Sequence, residues 1–282
     1  MSVHAAAKIN LFLHITGRRD NGYHELDSLV GFTAFGDQVV VESAHDISLR
    51  IEGPFGSGLP VNDENLVLAA ARMFADEVGR DGGTAITLQK NLPVSSGIGG
   101  GSADAAATLH ALNQLWDAGA TPEILAAIGL RLGADVPVCL LSMTARMSGV
   151  GEVVRPVGSL PNLGVLLINP GVPVSTPQVF KARVGSFSKP VAERVPDAGL
   201  KFCEFVQSQR NDLQDPAIEL EPQIAKVLQA LSDQSTCRLS RLSGSGATCF
   251  GLFDDEATAI AAGTVISDRN RNWWVQATHF LR

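Results

Sequence analysis

Apolar and polar residues alternate over residues 7–15. Ile9, Leu11, Leu13 and Ile15 take one face, and Lys8, Asn10, Phe12 and His14 the other. That period predicts a half-buried strand with Lys8 and Asn10 on the same side, about 7 Å apart. Asp20-Asn21-Gly22 is a turn signal, so Tyr23 and His24 begin the next extended segment. Residues 38–42 and 47–52 read as strands and 53–60 as a loop. A helix capped near Asn62 or Asp63 carries Leu66, Ala69, Ala70, Met73 and Phe74. Residues 84–90 form a strand. A long helix follows with Ser102 as its N-cap and Ala105, Leu109, Leu112 and Trp116 on one buried face. Another helix begins at Thr121-Pro122 and stops at Gly133. Residues 135–141 read as a strand, and Gly149, Gly151 and Glu152 as a turn before a strand at 153–157.

The polar stretch 156–162, punctuated by Pro and Gly, marks a domain boundary. Beyond it come a strand at 163–168, a loop at 170–177 with a short helix after it, and a mobile connection at 186–196. A helix at 221–231, a strand at 237–242, a Gly-rich turn at 243–247, a strand at 248–253, a helix at 256–267 and a strand at 274–277 close the chain. Strands and helices interleave in both halves, which indicates α/β or α+β layers.

The chemistry concentrates between the strand at 84–90 and the long helix. Gly97, Gly99, Gly100 and Gly101 fall within five residues, directly before an Ala-rich helix. Helix N-termini present unpaired N–H groups and the positive end of the macrodipole, so such a loop suits an anion. No lysine follows the glycines, which excludes the common P-loop, and Ser102 stands where a dinucleotide fingerprint requires glycine. A glycine-rich turn that only joins strand to helix is the alternative. Taken singly, Lys8 reads as a solvated strand lysine and Asp135 as a turn or cap residue.

The chain has 282 residues, 45% hydrophobic and 18% charged, enough for a sizeable core in one large or two ordinary domains. A formal net charge of −7 argues against a nucleic-acid or membrane-surface role, because no basic field is available. Cys139, Cys203, Cys237 and Cys249 are widely spaced and read as buried thiols. Neither a signal peptide nor a membrane-length apolar run is evident, so a cytoplasmic location is expected.

Pro93-Val94-Ser95-Ser96-Gly97-Ile98-Gly99-Gly100-Gly101-Ser102, the opening at residues 7–26, Leu132–Pro137, Pro170–Phe180 and Gly244–Thr248 together resemble the GHMP kinases, nearly end to end. The resemblance implies an α+β two-domain GHMP kinase fold: a ribosomal-protein-S5-like N-terminal domain over 1–157 and a ferredoxin-like C-terminal domain over 158–282. It implies ATP as donor, bound by residues Pro93 to Ser102 and Ala103, with Mg²⁺ arriving on the nucleotide. No metal ligand is assigned; Ser102 and Asp104 are the nearby oxygen donors. The implied acceptor is a small cytidylated sugar alcohol, whose 2-hydroxyl is phosphorylated by direct transfer. Lys8 and Asp135 match the catalytic lysine and aspartate, which must meet beside the triphosphate. Tyr23 and Phe180 match residues that sandwich the cytosine ring. His24 matches a contact to the base edge, Asn10 one on the sugar-alcohol side, and Thr176 a further substrate contact. Gly244, Ser245 and Gly246 match a loop that closes over the glycines. A monomer or weak homodimer is expected, with no nucleic acid or membrane partner. Ser95 and Ser96 stand where better-known members carry glycine, and Val30 where some carry an aromatic. A kinase of mevalonate or homoserine, and a non-catalytic sensor retaining the fold, are the competing readings.

Overall fold

The computed structural model describes residues 1–196 and 199–281. The chain forms two compact units, each assembled from separate stretches. Unit 1 comprises Met1–Ala7, Gly36–Val94 and Gly99–Ser142; unit 2 comprises Lys8–Phe35, Ser95–Ile98 and Met143 onward. In chain order the elements are β1 (Ser2–Arg18), β2 (His24–Ala44), β3 (Ser48–Glu52), α1 (Leu66–Glu77), β4 (Gly83–Gln89), α2 (Gly100–Leu115), α3 (Pro122–Leu132) and α4 (Val136–Leu141). Then follow β5 (Ala145–Gly149), β6 (Val153–Pro156), β7 (Gly164–Asn169), α5 (Thr176–Ala182), α6 (Gly199–Gln207), α7 (Gln214–Leu220), α8 (Gln223–Ser232), β8 (Leu239–Leu242), β9 (Cys249–Phe253), α9 (Glu256–Arg269) and β10 (Trp274–His279).

In unit 1 the second half of β2 pairs antiparallel with β4, from Gln38 opposite Gln89 to Ala44 opposite Gly83, and β3 pairs parallel with β4. Helices α1, α2, α3 and α4 pack against one another. Ala105, Leu109, Leu112 and Trp116 are all buried, as their spacing requires. Trp116 stacks on Phe74 of α1 at 5.8 Å.

In unit 2 the first half of β2 pairs with β5, Leu26 opposite Gly149, and β5 pairs with β6. A four-stranded antiparallel sheet runs β10-β7-β9-β8. Ile224, Val227 and Leu231 of α8 share a core with Ala259, Ala262 and Ile266 of α9 and with Leu166 and Ile168 of β7. Both helices therefore cover the same face of the sheet, a ferredoxin-like arrangement. Small residues let α9 sit close: a Cβ on Gly263 would stand 2.9 Å from Leu166 Cδ1.

Several sequence expectations change. The strand over 7–15 is longer and buried on both faces, because its polar side also has internal partners. Helix α1 is capped by Asn65, whose side chain accepts the Val67 N–H, while Asn62 closes an Asx turn to Glu64 just before it. Helix α2 starts at Gly100 with Gly99 in the N-cap position at φ 65°, so Ser102 lies inside the helix. Residues 136–141 are helix α4 instead of a strand. A short apolar run does not reveal its period, and Pro137 in the first turn suits a helix start. Strand β5 and helices α6 and α7 were not anticipated.

The connection at 186–196, expected to be mobile, is tied down by two buried carboxylates. Asp27 accepts both ends of the Arg146 guanidinium fork at 2.7 and 2.6 Å and the Val191 N–H at 2.7 Å; Arg146 also donates to the Val191 carbonyl. Asp212 accepts from the Ile15 N–H at 2.8 Å, the Ser188 hydroxyl at 2.5 Å and Arg210 Nε at 2.6 Å.

Candidate active site

The glycine-rich loop belongs to both units: Pro93, Val94 and Gly99 to Ala103 to unit 1, and Ser95 to Ile98 to unit 2. In unit 1, Gly99 is left-handed, a conformation glycine adopts without Cβ strain, and its carbonyl accepts the Ala103 N–H at 2.8 Å. No side chain caps α2, so the N–H groups of its first turn remain for an anion. Gly101 is exposed, and a Cβ there would make only an ordinary contact, 3.5 Å from Leu66 Cδ1.

Beneath that turn lies a cluster that sequence reading missed. Lys90, one residue past β4, donates to Asp37 Oδ2 at 2.5 Å and Asp104 Oδ2 at 2.6 Å. The three side chains are 4%, 0% and 3% exposed. Asp37 Oδ1 also accepts the N–H groups of Asn91 at 2.5 Å and Leu92 at 2.8 Å. Burial pushes the Asp104 carboxyl up to about 7 against the pull of the Lys90 ammonium. The two carboxylates hold the lysine above its usual range despite its burial. Asp104 is thus engaged with Lys90 through Oδ2, while its Oδ1 is buried without a hydrogen-bond partner among the described residues. The only sequence cue was a Lys between an apolar strand and the loop's proline.

Asp135, also in unit 1, holds the N-cap position of α4 and is half-buried; its carbonyl accepts the Cys139 N–H at 3.2 Å.

In unit 2, the middle of the loop is stitched to two other segments. The Lys8 N–H donates to the Ile98 carbonyl at 2.9 Å, and the Thr248 N–H to the Ser96 carbonyl at 3.0 Å. The Asn10 N–H donates to Ser243 Oγ at 3.2 Å, and that hydroxyl donates onward to the Gly97 carbonyl at 3.0 Å. Gly97 has φ 76°, and a Cβ on it would stand 2.4 Å from the Ser243 carbonyl oxygen and 2.7 Å from the Gly246 nitrogen. The turn at Gly244, Ser245 and Gly246 therefore sits directly on the loop's first glycine. Ser243, which precedes that turn, reads from sequence only as part of a Gly-rich turn, whereas Thr248 ends the Gly244–Thr248 stretch that carries the resemblance. Ser95 is left-handed at φ 51°, a conformation cheaper for glycine than for serine.

Lys8 and Asn10 are each 3% exposed and belong to this stitched region. The orientation of the Asn10 amide follows from Ser28. The single hydroxyl proton of Ser28 goes to the Phe12 carbonyl at 2.6 Å, so Ser28 Oγ accepts from Asn10 Nδ2 at 2.8 Å. That leaves Asn10 Oδ1 buried without a donor among the described residues, 3.5 Å from where a Cβ on Gly244 would stand.

His24 stacks on Phe180 with centroids 5.1 Å apart and planes 30° apart. Burial, with Arg18 and Arg183 acting in the same direction, lowers the pKa of His24, so its ring is neutral at neutral pH. Tyr23 is 66% exposed. Thr176 Oγ1 lies 2.7 Å from Ser245 Oγ, joining the start of α5 to the closing turn. Val30 is fully buried in the core.

The model of the GHMP kinases N terminal domain matches residues 65–143, and that of the GHMP kinases C terminal region matches 203–272. A 4-diphosphocytidyl-2-C-methyl-D-erythritol kinase from Cereibacter sphaeroides is 52% identical over 275 residues, 96% of each chain. One from Paramagnetospirillum magneticum is 47% identical over 99% of this chain and 98% of its own. A crystal structure of 4-(cytidine 5'-diphospho)-2C-methyl-D-erythritol kinase superposes with a TM-score of 0.80 at 33% identity, covering 99% of both chains. A homoserine kinase from Cytophaga hutchinsonii has a TM-score of 0.74 at 19% identity and shares the fold.

Proposed function

The chain belongs to the GHMP kinases, and from that premise we propose that it transfers the γ-phosphoryl group of ATP to the 2-hydroxyl of 4-diphosphocytidyl-2-C-methyl-D-erythritol, in the non-mevalonate route to isoprenoid precursors. It is an ATP-dependent small-molecule kinase. The acceptor is inferred from relatives named for that substrate at 47% and 52% identity across almost the whole chain.

In this reading the phosphates rest on the N–H groups of the glycine loop and the first turn of α2, where the helix dipole favours negative charge. The 2-hydroxyl oxygen attacks the γ-phosphorus, its proton passes to the Asp135 carboxylate, and ADP leaves. Lys8 supplies positive charge to the oxygens of the transferred group. Tyr23, His24 and Phe180 receive the cytosine, whose flat face suits stacking. Thr176 and the Gly244–Gly246 turn close over the substrates. Mg²⁺ travels with the nucleotide and neutralises phosphate charge. Among the described residues no group of three His, Cys, Asp or Glu could hold a metal. Among the described residues no helix is long and apolar enough to cross a membrane. We infer a cytoplasmic enzyme acting as a monomer or weak homodimer.

The observation that carries the reading is the Asn10 carboxamide. Its acceptor oxygen is buried, oriented by Ser28 and without a donor among the described residues, beside a turn docked on the glycine loop. A polyhydroxylated acceptor provides the donor that such an atom requires. The test is ADP release with ATP and, in turn, the cytidylated acceptor, mevalonate and homoserine. Turnover is expected with the first alone, and abolished by Lys8→Ala and by Asp135→Asn while ATP still binds. Equal turnover with homoserine or mevalonate, or wild-type rates in either variant, sinks the assignment.

A further inference from the structure

We propose that Lys90, clamped between Asp37 and Asp104, is a positioning residue for the nucleotide: it ties the strand end that leads into the glycine loop to the first turns of α2, and so sets the N–H groups on which the phosphates rest. The proposal rests on the reading of that loop as the ATP site.

Three ionisable side chains buried together need a reason. Desolvating an ammonium and two carboxylates is costly, and well-packed apolar residues of similar volume would be as stable or more so. What apolar residues could not provide is directional bonding among three separate segments. Asp37 comes from β2, Lys90 follows β4, and Asp104 is the fifth residue of α2. The second oxygen of Asp37 accepts the N–H groups of Asn91 and Leu92, the last two residues before Pro93. The whole approach to the loop is thereby fixed to the same carboxylate that holds Lys90.

The first residue of α2 lies directly on this trio. A Cβ on Gly100 would stand 3.1 Å from Lys90 Nζ and 3.7 Å from Asp37 Oδ2. Gly100 thus allows the helix to settle onto the lysine, and Lys90 limits how far it settles. Helix α2 has no side-chain cap and no acidic residue in its first turn, so local capping does not set its start. Asp104, one turn further in, supplies the bond from the helix side.

The test uses the full chain and compares Asp104→Asn with wild type. The amide keeps the volume, and the Lys90–Asp37 pair remains, so the variant folds. The expected result is a rise of about tenfold in KM for ATP and in the nucleotide dissociation constant measured without acceptor, with KM for the acceptor changed less than about twofold. Lys90→Met is expected to give the same split more strongly; if it fails to fold, Asp37→Asn replaces it. A lowered Tm with KM for ATP unchanged overturns the proposal, because a merely structural trio would behave that way. Gly101→Asp separates this from the reading beneath it. An aspartate in an exposed first helical turn suits the dipole, so folding is kept, while its charge repels phosphate. If Gly101→Asp leaves KM for ATP unchanged, the loop is not the nucleotide site and both ideas fall. If Gly101→Asp raises KM for ATP and Asp104→Asn does not, only the positioning role falls.

Discussion

Replacing Asn10 by alanine separates two things that one residue does. Its backbone N–H bonds Ser243 Oγ, which bonds the Gly97 carbonyl and holds the closing turn on the glycine loop. Alanine keeps that chain intact. Its side chain donates to Ser28 and turns Oδ1 toward the closing turn, and alanine removes both. Ser28 still donates to Phe12, so no buried donor is stranded. The fold therefore loses one neutral hydrogen bond, about 1 kcal/mol, with a small cavity term. For a chain of this size each such kcal/mol lowers Tm by roughly 2–4 °C. The effect on the acceptor is larger in proportion. A hydroxyl carried into this buried place without its acceptor pays the desolvation cost of an unmade bond, about 1–3 kcal/mol. That corresponds to a fall of roughly 5- to 150-fold in kcat/KM for the acceptor. Initial rates with each substrate varied at saturating levels of the other supply the comparison. KM for ATP should move by less than about twofold, since the loop remains docked. An unchanged kcat/KM for the acceptor, or equal losses toward both substrates, would refute the assignment of Asn10 Oδ1 to the acceptor.

Other perturbations give distinct signatures. Gly97→Ala forces a Cβ into the Ser243 carbonyl at a left-handed position; a loss of about 2–4 kcal/mol in urea unfolding and reduced kcat/KM toward both substrates are expected. Tyr23→Ala removes an exposed ring, so Tm should hold while KM for the acceptor rises about 3- to 10-fold, the value of one aromatic stacking contact. Asp212 is buried, which alone would raise its carboxyl pKa, but the Ser188 hydroxyl, the Ile15 N–H and Arg210 together hold it below the ordinary value. Its folded value lies below its unfolded one, so its contribution is complete at neutral pH and is lost as pH falls through the acidic carboxylate range. Asp212→Asn should therefore cost about 1–3 kcal/mol at pH 7 and flatten the acid limb of a stability-against-pH curve obtained by chemical denaturation.

Periodicity made much of this fold legible, because burial on one face leaves a trace in the order of residues. The buried stripe of α2 and the boundaries of α3 were readable from Leu109, Leu112 and Trp116 and from Thr121, Pro122 and Gly133. The first strand misled for a physical reason. Its polar positions look solvent-facing until Ser28 and Arg210, far away in sequence, bond Asn10 and His14. Residues 136–141 misled because six apolar positions fit a strand or a helix equally well, and packing against α2 and α3 decides between them. The tie-down of the 186–196 connection depends on Asp27 and Asp212, neither of which neighbours it in sequence.

The same limit applies within the glycine loop, where composition suggested one task for four residues. Gly97 is small because the Ser243 carbonyl occupies the space of a side chain, and Gly99 because its φ of 65° turns the chain into α2. Gly100 is small because Lys90 lies beneath it. Gly101 alone is exposed, with room for a side chain where the helix would meet phosphate. Alanine should accordingly be worst tolerated for folding at Gly97 and Gly99, where strain and collision apply, and mildest at Gly101, where any loss should fall on nucleotide affinity. A motif recognised as a phosphate cradle is thus, in this chain, largely a device for docking two other segments and starting a helix. In the proposed reading, the anion is met by the backbone that those contacts hold still.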